Sequence, residues 1–423
     1  MEEETGSDDA ITTHEQIFGD SSTTIFKDPG VLSPDYIPPQ LIGRNDKIIE
    51  LGKLLKPIEF QLIPNNGLVF GKTGSGKSVT IKFVMIKFME RLADRPEFID
   101  HKVCWIYVQC KKRSTQTAVL YEIITQLDSF SKIPKRGISL DAYYEELCRV
   151  ITDKNISLIV ILDEIDQLKG DDILYLFVRS AEMQEIPQNH FICTIGISND
   201  GDFGTKLDPR ILSSMDFQEV IFHPYKFNQI MSILKHRVKL AFNEGVISEE
   251  TIIKCAKDAA QEHGDARRAF SLLRSAATLA SIRGEPKITV EYVIEAGKLL
   301  DQERLIRIAI GYPIHERIVL LSIVKLTKNN NKGTDSQKIT SFYNTLCKEL
   351  GRDPLHRTTI ASKFGEFKMT GLITSAEMKK GRGGGWRDIK LNVNSIHNLE
   401  EALYDDDELK YLIDVNPSFF RNI

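Results

Sequence analysis

The fold of this chain is decided by residues 67–78, which read GLVFGKTGSGKS. The first four residues form an apolar run typical of a buried strand, and apolar residues recur at helical spacing after the last one. Between them stands the pattern of Gly71, four residues, Gly76, Lys77 and Ser78. Glycines in such a loop let backbone N–H groups converge on phosphate oxygens, and the helix N-terminus adds partial positive charge. The segment therefore predicts a nucleotide site.

The residue types in this loop have separate chemical tasks. Lys77 is expected to contact the β and γ phosphates of ATP or ADP, and the Ser78 hydroxyl to ligate Mg²⁺. A glycine loop without a ligand is the alternative, and the strand and helix on either side weigh against it. The predicted phosphate-binding residues are Gly71, Lys72, Thr73, Gly74, Ser75, Gly76, Lys77 and Ser78.

A second apolar run, from Leu158 to Leu162, ends in two acidic residues, Asp163 and Glu164. It is apolar on both faces, as a central parallel strand must be. The carboxylates therefore arrive at the carboxyl edge of the sheet, where ligands bind in α/β folds. Asp163 is predicted to hold Mg²⁺, and Glu164 to orient and activate the attacking water. The alternative is an acidic pair that caps the next helix.

Two further segments offer polar groups to the same site. Asn199 follows the apolar strand that ends at Ile197, and it is predicted to touch the γ-phosphate or the lytic water. A turn cap is the alternative role for this residue. Arg267 and Arg268 stand at the start of a predicted helix, where cations are unfavourable to the helix dipole. An anionic partner such as a phosphate would explain them, and a solvated charge pair is the alternative.

The order of strands and helices predicts an α/β fold. Up to about Tyr225 helices fall between apolar strands, which indicates a parallel sheet, and from there to Ile310 the patterns are helical. Three more helical patterns and a hairpin then predict a winged helix. Four prolines in residues 26–40 predict an extended strap packed across a domain. The predicted segments are a disordered acidic tail (1–28), an AAA+ α/β ATPase domain (29–224), an α-helical lid domain (225–311), a winged-helix domain (312–400) and a C-terminal tail or helix (401–423).

Composition limits the function classes. The 423 residues carry a net charge of −4, and the six cysteines show no metal-binding spacing. The sequence has no apolar run long enough for a membrane span and no secretory leader, so we expect a cytoplasmic, nucleoid-associated protein with reduced thiols. A net-acidic chain binds nucleic acid only through local basic patches.

Two such patches are present in the sequence. The pattern from Arg357 to Thr370 has the apolar inner face and basic outer face of a recognition helix, and a basic glycine-rich segment follows it. A solvated hairpin tip is the alternative for that segment, and a solvent-facing loop is the alternative for the second patch, which follows the second strand. The predicted DNA contacts are Arg357, Lys363, Lys379, Lys380, Arg382 and Arg387 in the first patch and Lys111, Arg113, Lys135 and Arg136 in the second.

Taken in order, these pieces resemble the archaeal replication initiators, relatives of the eukaryotic origin-recognition subunits and of the cell-division-cycle helicase loader. The resemblance covers roughly residues 29–393. Its most specific parts are IGISND at residues 195–200, GDARRA at residues 264–269 and the C-terminal winged helix.

The resemblance implies residue roles and a function. Asn199 matches the sensor-1 residue and Arg267 the sensor-2 arginine. Arg210 aligns with the region that supplies an arginine finger to a neighbour's ATP, and the segment Ile42-Gly43-Arg44 with the adenine pocket. The implied function is an ATP-regulated initiator whose slow hydrolysis acts as a switch. It would bind double-stranded origin DNA, help recruit or load the replicative helicase and work with related initiator subunits. Ser78 stands where the family usually carries Thr, which keeps the hydroxyl.

Other function classes remain open from the sequence. A signalling or defence ATPase that uses its winged helix internally would lack salt-dependent duplex binding. A DNA-binding regulator with a purely structural nucleotide would be indifferent to Glu164→Gln. A processive motor would need further motor motifs, which we do not find in the sequence.

Overall fold

The computed structural model describes residues 25–415 apart from residues 100, 181–183, 212–216, 263, 328–333, 376–378, 382–383, 387 and 393–395. Most of the predicted acidic tail (1–28) therefore lies outside the described residues. The chain divides into two compact units between Val293 and Ile294.

A five-stranded parallel sheet forms the centre of the first unit. Four of its strands agree with predicted segments, and the fifth was not predicted from the sequence. That edge strand is short and exposes Glu219 and Ile221, so its apolar signal is weak. The strands are β1 (Gly67–Gly71), β2 (Lys102–Gln109), β3 (Ile156–Asp163), β4 (Ile192–Ser198) and β5 (Gln218–Phe222), in the spatial order β2-β3-β4-β1-β5.

Helices cover both faces of this sheet. Leu68 packs with one helical layer and its neighbour Val69 with the other, because side chains alternate between the faces of a strand. Burial from both sides explains why β3 is apolar throughout. One layer contains α1 (Asn45–Leu55) and α2 (Lys77–Ala93), and the other contains α3 (Gln116–Leu127), α4 (Leu140–Lys154) and α5 (Asp172–Arg179), while a short α6 (Phe203–Lys206) follows β4.

The region after the sheet, which the sequence predicted to be helical, folds into four helices. Its caps are local: Ser248 accepts the N–H of Thr251, and Asp265 accepts the N–H of Arg267. The division between the two units falls inside the last helix, upstream of the predicted domain boundary after residue 311. The helices are α7 (Phe227–Ala241), α8 (Glu249–Gln261), α9 (Ala266–Ile282) and α10 (Val290–Ile310).

Residues 25–42 form the predicted strap, and its first part packs on α7. Phe26 stacks on Phe242 with ring centroids 5.2 Å apart, and the N–H of Lys27 donates to the carbonyl of Ala241 over 2.8 Å. A single 3-10 turn (Pro29–Leu32) follows, with its last two residues buried. The predicted tail (1–28) and the predicted strap (26–40) overlap, and the structure places residues 25–28 in the packed strap.

The second unit has the predicted winged-helix layout. Within the described residues no helix of either unit is long and apolar enough to cross a membrane. Residues 401–415 of the segment predicted as a C-terminal tail or helix are described, and they form the end of one helix and the whole of the next, with Leu403 and Leu409 buried in the core of this unit. The elements are α11 (Ile314–Thr327), β6 (Thr334–Asp335), α12 (Ser336–Glu349), α13 (Arg357–Met369), β7 (Ile373–Ser375), the antiparallel hairpin β8 (Lys379–Gly381) and β9 (Gly384–Trp386), β10 (Asp388–Leu391), α14 (Ile396–Tyr404) and α15 (Asp407–Val415).

Candidate nucleotide site and nucleic-acid surfaces

The predicted phosphate loop turns tightly into the start of α2. Gly76 has φ of +87°, and a Cβ there would lie 2.3 Å from the hydroxyl oxygen of Tyr225. Gly74 has φ of +77°, and a Cβ there would lie 1.9 Å from Oδ1 of Asp265. Both positions need glycine for backbone conformation and for space. The loop is thus a cradle of backbone set at a helix N-terminus, which suits an anion.

Lys77 is the first residue of α2 and is buried, with 6% of its surface exposed. Its Nζ donates to the carbonyl of Gly71 over 2.5 Å and to Oδ1 of Asn199 over 2.9 Å. Burial lowers the pKa of this amine to about 8, against the opposing effect of Asp163 and with a smaller contribution from Arg267. A ligand phosphate beside the ammonium would favour its charged form.

The acidic end of β3 faces α2. The Ser78 hydroxyl donates to Oδ2 of Asp163 over 2.9 Å, and the Tyr107 hydroxyl donates to the same oxygen. Glu164 has a left-handed backbone with φ of +54°, which is uncommon for a residue with a side chain and clusters at functional sites. Its side chain makes no cap hydrogen bond to the turn that follows, so the helix-cap alternative does not describe it.

These groups meet in one cavity of about 480 Å³, a size that suits a nucleotide. The strap closes one side of it, and α7 and α9 close another. Gly71, Lys72 and Ser75 lie in the loop but outside the cavity lining. The predicted site residues that line it are Ile42, Thr73, Gly74, Gly76, Lys77, Ser78, Asp163, Glu164, Asn199 and Arg267.

Arg44 and Gly43, predicted at the adenine pocket, are not among the residues that line the cavity. The Arg44 guanidinium is buried behind the loop, where it donates to the carbonyl of Ser75 over 2.6 Å and to that of His223 over 2.7 Å. It also stacks on the ring of Tyr225, 3.8 Å from the centroid. Arg44 therefore supports the phosphate loop, because its buried guanidinium donates to the carbonyl of Ser75 within that loop.

The two arginines at the start of α9 have different surroundings. Arg267 lines the cavity, whereas Arg268 pairs with Glu262 over 3.1 Å. The N–H of Ala266 donates to the carbonyl of Gly74 over 3.4 Å, so the lid helix begins directly against the phosphate loop. Arg268 is therefore accounted for by its ion pair with Glu262, and Arg267 is the one that faces the site.

Arg210 lies outside the cavity of its own chain. Its side chain is 77% exposed, and its Nη2 lies 2.8 Å from Oδ2 of Asp208. An outward position is what a residue that reaches a neighbouring subunit requires. Its role as an arginine finger stays a prediction.

Several cavity residues were missed by the sequence analysis. Arg237 of α7 is 5% exposed, and its guanidinium donates to the carbonyls of Val31 over 2.7 Å and Tyr36 over 3.1 Å. It also faces the rings of Tyr36 and Phe270. An isolated arginine on an amphipathic helix carries no motif, so no sequence signal marks this contact. The other missed lining residues include Ile37, Pro38, Leu41, Lys82, Tyr107, Ile233, His236 and Phe270.

The residues present fit a Mg²⁺ ion that arrives with a nucleotide. Mg²⁺ usually keeps several waters and binds one or two carboxylates together with substrate phosphates. Ser78 and Asp163 supply one hydroxyl and one carboxylate in direct contact. Nowhere in the described part of the chain do three or more His, Cys, Asp or Glu side chains gather into an all-protein metal site.

The predicted recognition helix is α13, and its apolar face is buried through Ile360, Phe364 and Phe367. Arg357 is exposed at its first turn. Lys363 is directed inward instead, with Nζ 2.8 Å from the buried Glu316. A lysine that neutralises a buried carboxylate is not free to meet a phosphate, so its placement argues against the predicted DNA contact.

The remaining predicted DNA contacts are spread over both units. Lys379 and Lys380 belong to the β8–β9 hairpin, whereas Arg382 and Arg387 lie outside the described residues. In the first unit Arg113 pairs with Glu122, its Nη2 lying 3.0 Å from Oε2. The other predicted contacts of the first unit, Lys111, Lys135 and Arg136, are exposed.

Comparison with known proteins identifies the family. Residues 64–194 match the AAA domain, residues 231–298 the Cdc6 AAA+ ATPase-type lid domain, and residues 309–400 the CDC6 C terminal winged helix domain. The chain is 36% identical to the ORC1-type DNA replication protein of Thermococcus onnurineus over 405 residues, which cover 94% of this chain and 95% of that protein. The chain belongs to the ORC1-type DNA replication proteins.

A second relative and a solved structure support the same family assignment. The ORC1-type DNA replication protein 1 of Archaeoglobus fulgidus is 36% identical over 395 residues, 93% of this chain and 94% of that protein. A solved structure of the Aeropyrum pernix ORC1 protein in complex with DNA has a TM-score of 0.72 at 31% identity, covering 92% of this chain and 99% of that one. The predicted fold class and the resemblance to replication initiators are therefore confirmed.

Proposed function

We propose that this ORC1-type protein is an ATP-regulated replication initiator that binds origin duplex DNA. The observation that carries the proposal is the convergence of Lys77, Asp163, Glu164 and Asn199 on one cavity that Arg267 of the lid also lines. A nucleotide there would touch both the sheet edge and the lid. Its phosphate state would therefore bias how the lid closes on the sheet.

The chain's own residues divide the work at the phosphates. Lys77 would bind the β and γ phosphates, and Ser78 with Asp163 would hold Mg²⁺, which when bound neutralises phosphate charge. Glu164 would orient the attacking water from its left-handed turn, with Asn199 beside it. The Arg267 guanidinium would stabilise negative charge that develops on the transferred group.

The exposed position of Arg210 supports a slow, switch-like hydrolysis. A single chain brings Arg267 to its cavity but leaves Arg210 on its surface, paired with Asp208. We propose that rapid turnover requires the arginine of a related initiator subunit, as in ATPases whose finger is supplied in trans. An isolated chain would then hold its nucleotide for long periods.

The DNA-binding part of the proposal rests on the basic residues of both units and on the relative described in complex with DNA. The basic glycine-rich segment 379–387 would be the wing of the winged helix. The proposed contacts are Arg357, the wing residues Lys379, Lys380, Arg382 and Arg387, and, in the first unit, Lys111, Lys135 and Arg136. Their cations would meet phosphates, so binding should weaken steeply with salt. Recruitment or loading of the replicative helicase at the bound origin, and a place in the nucleoid, are proposed from family membership.

Duplex binding tests the wing directly. The double variant Arg382→Ala, Arg387→Ala should weaken binding by about 2–4 kcal/mol and reduce the salt dependence by about two phosphate contacts. Fluorescence anisotropy with a labelled duplex at several salt concentrations measures both quantities. The matched control is Lys87→Ala, Lys254→Ala, which removes two lysines that pair within their own helices. Wild-type binding by the wing variant would remove the wing from the proposal.

Regulation by ATP is tested with Glu164→Gln. This variant should bind ATP normally and lose hydrolysis by more than about 100-fold, because the amide cannot activate water. We expect this variant to remain bound to ATP and DNA, and the amount of helicase that it recruits to differ from that of the wild-type protein. Asp166→Asn is the control, since Asp166 accepts a hydrogen bond from Ser198 and does not line the cavity. Unchanged DNA occupancy and recruitment in Glu164→Gln would favour a regulator whose nucleotide is only structural.

A further inference from the structure

The carboxylate of Asp163 is held from two sides. Its Oδ1 accepts the backbone N–H of Glu164 over 3.0 Å, and its Oδ2 accepts the hydroxyls of Ser78 and Tyr107. Tyr107 lies on β2, which pairs with β3 in a register that sets Gln109 opposite Asp163. The phenol therefore reaches the carboxylate from the neighbouring strand, and it forms part of the cavity wall.

The two hydroxyl donors to Oδ2 differ in what else they do. The Ser78 oxygen is a proposed metal ligand, so it is not free to serve as a fixed support for Asp163. The Tyr107 phenol is not a proposed metal ligand, and the Nζ of Lys82 lies 3.9 Å from the centroid of its ring, which holds the ring against α2.

We infer that Tyr107 is a positioning residue that orients Asp163 for the metal ion of the bound nucleotide. The inference rests on the proposed nucleotide function and extends it to a residue outside the phosphate loop and the acidic pair. A hydrogen bond to a metal-ligating carboxylate fixes the direction of its oxygens before the metal arrives. Loss of such a partner typically costs ten- to hundredfold in metal affinity.

The test is Tyr107→Phe in the full-length protein, which deletes one oxygen and keeps the ring beside Lys82. Binding of a fluorescent non-hydrolysable ATP analogue is titrated with MgCl₂ and is measured separately in EDTA. We expect the Mg²⁺ concentration at half-maximal effect to rise about tenfold. The affinity for the analogue in EDTA should stay close to the wild-type value, because the phosphate cradle is untouched.

The matched control is Tyr144→Phe. Its phenol also donates to a carboxylate, Oε2 of Glu185 over 2.6 Å, and neither residue lines the cavity. This variant should behave as wild type in both titrations. Two results would overturn the role of Tyr107 and leave the proposed function standing. The first is a wild-type Mg²⁺ requirement in Tyr107→Phe. The second is a loss of affinity for the analogue that is equal with and without metal. A wild-type protein without any Mg²⁺ dependence would overturn both this inference and the assignment of Asp163.

Discussion

The two ends of the nucleotide cavity are built in opposite ways. The phosphate end comes from one continuous loop, residues 71–78, and from the ends of two strands. The other end is assembled from three separate segments, with Ile37 from the strap, Ile233 from α7 and Phe270 from α9. The first end is polar and the second is largely apolar, which is the expected division between phosphates and a nucleoside base.

The phosphate end is thus formed by a local sequence motif, whereas the other end is formed only by tertiary packing. The loop makes its cradle from backbone geometry that the glycines permit. The base end has its shape because Arg237 ties the strap to the lid. We therefore expect the phosphate end to determine most of the affinity and the other end to determine which base is accepted.

The largest effect is expected from Lys77→Ala. This variant removes a buried ammonium from the phosphate end, and charged hydrogen bonds contribute about 1.5–3 kcal/mol each, so ATP affinity should fall by more than about 100-fold. Displacement of fluorescent ATP by unlabelled ATP measures affinity for the two ends together. Displacement by tripolyphosphate measures affinity for the phosphate end alone. Both competitors should weaken. Lys87→Ala on the same helix is the control, and unchanged affinity in Lys77→Ala would refute the site.

A smaller and more selective effect is expected from Arg237→Met. The strap loses its hydrogen bonds at Val31 and Tyr36, so ATP affinity should fall about 30-fold, equivalent to about 2 kcal/mol. Tripolyphosphate should compete as it does in the wild-type protein, because the phosphate loop is intact. Discrimination between ATP and GTP should weaken in the same displacement assay.

Arg149→Met is the control for this substitution. Arg149 is exposed on α4, where it pairs with Glu146 and Asp153, and we expect its loss to leave both competitors unchanged. If Arg237→Met weakened tripolyphosphate as strongly as ATP, the two ends would act as one unit and the comparison would fail.

The smallest expected effect is a pH dependence confined to the phosphate end. The pKa of Lys77 is lowered from 10.5 to about 8, and phosphates favour its charged form. Affinity should therefore be close to its maximum at pH 7, fall about twofold by pH 8 and fall about tenfold by pH 9. The free energy of unfolding of the nucleotide-free protein changes with pH in the opposite direction. It rises between about pH 8 and 10.5, because there Lys77 is protonated in the unfolded chain and neutral in the folded one. Calorimetric titration at three pH values checks the affinity, and a flat profile would contradict it.

Most of the residues that the sequence assigned to the phosphate end line one cavity, because they are contiguous or follow apolar strands. Glycine spacing placed Lys77 and Ser78, and the strand before Asp163 placed the acidic pair. The helix after the phosphate loop was predicted from the helical spacing of apolar residues, and it forms as α2 (Lys77–Ala93).

What the sequence missed depends on partners from other elements. Tyr107 stands in an apolar strand and has the pattern of a core residue, so its hydroxyl contact with Asp163 left no signal. Lys363 has the spacing of an outward basic residue on a recognition helix, but Glu316 comes from α11 and draws it inward. Arg44 lies in the segment that the resemblance assigns to adenine, and only the packing of the loop shows that it holds Ser75.

The attachment of the strap has a consequence for the exchange of nucleotide. Phe26 stacks on Phe242 and Arg237 of α7 donates to Val31, so a base bound in this cavity would be enclosed by residues that precede the first helix. Release of that nucleotide would require the lid and strap to move away together, or the strap to detach from α7. We expect amide hydrogen exchange across residues 31–41 to slow when nucleotide binds. The residence time of the nucleotide would then be tunable from the N-terminus, without a change in any group that touches phosphate.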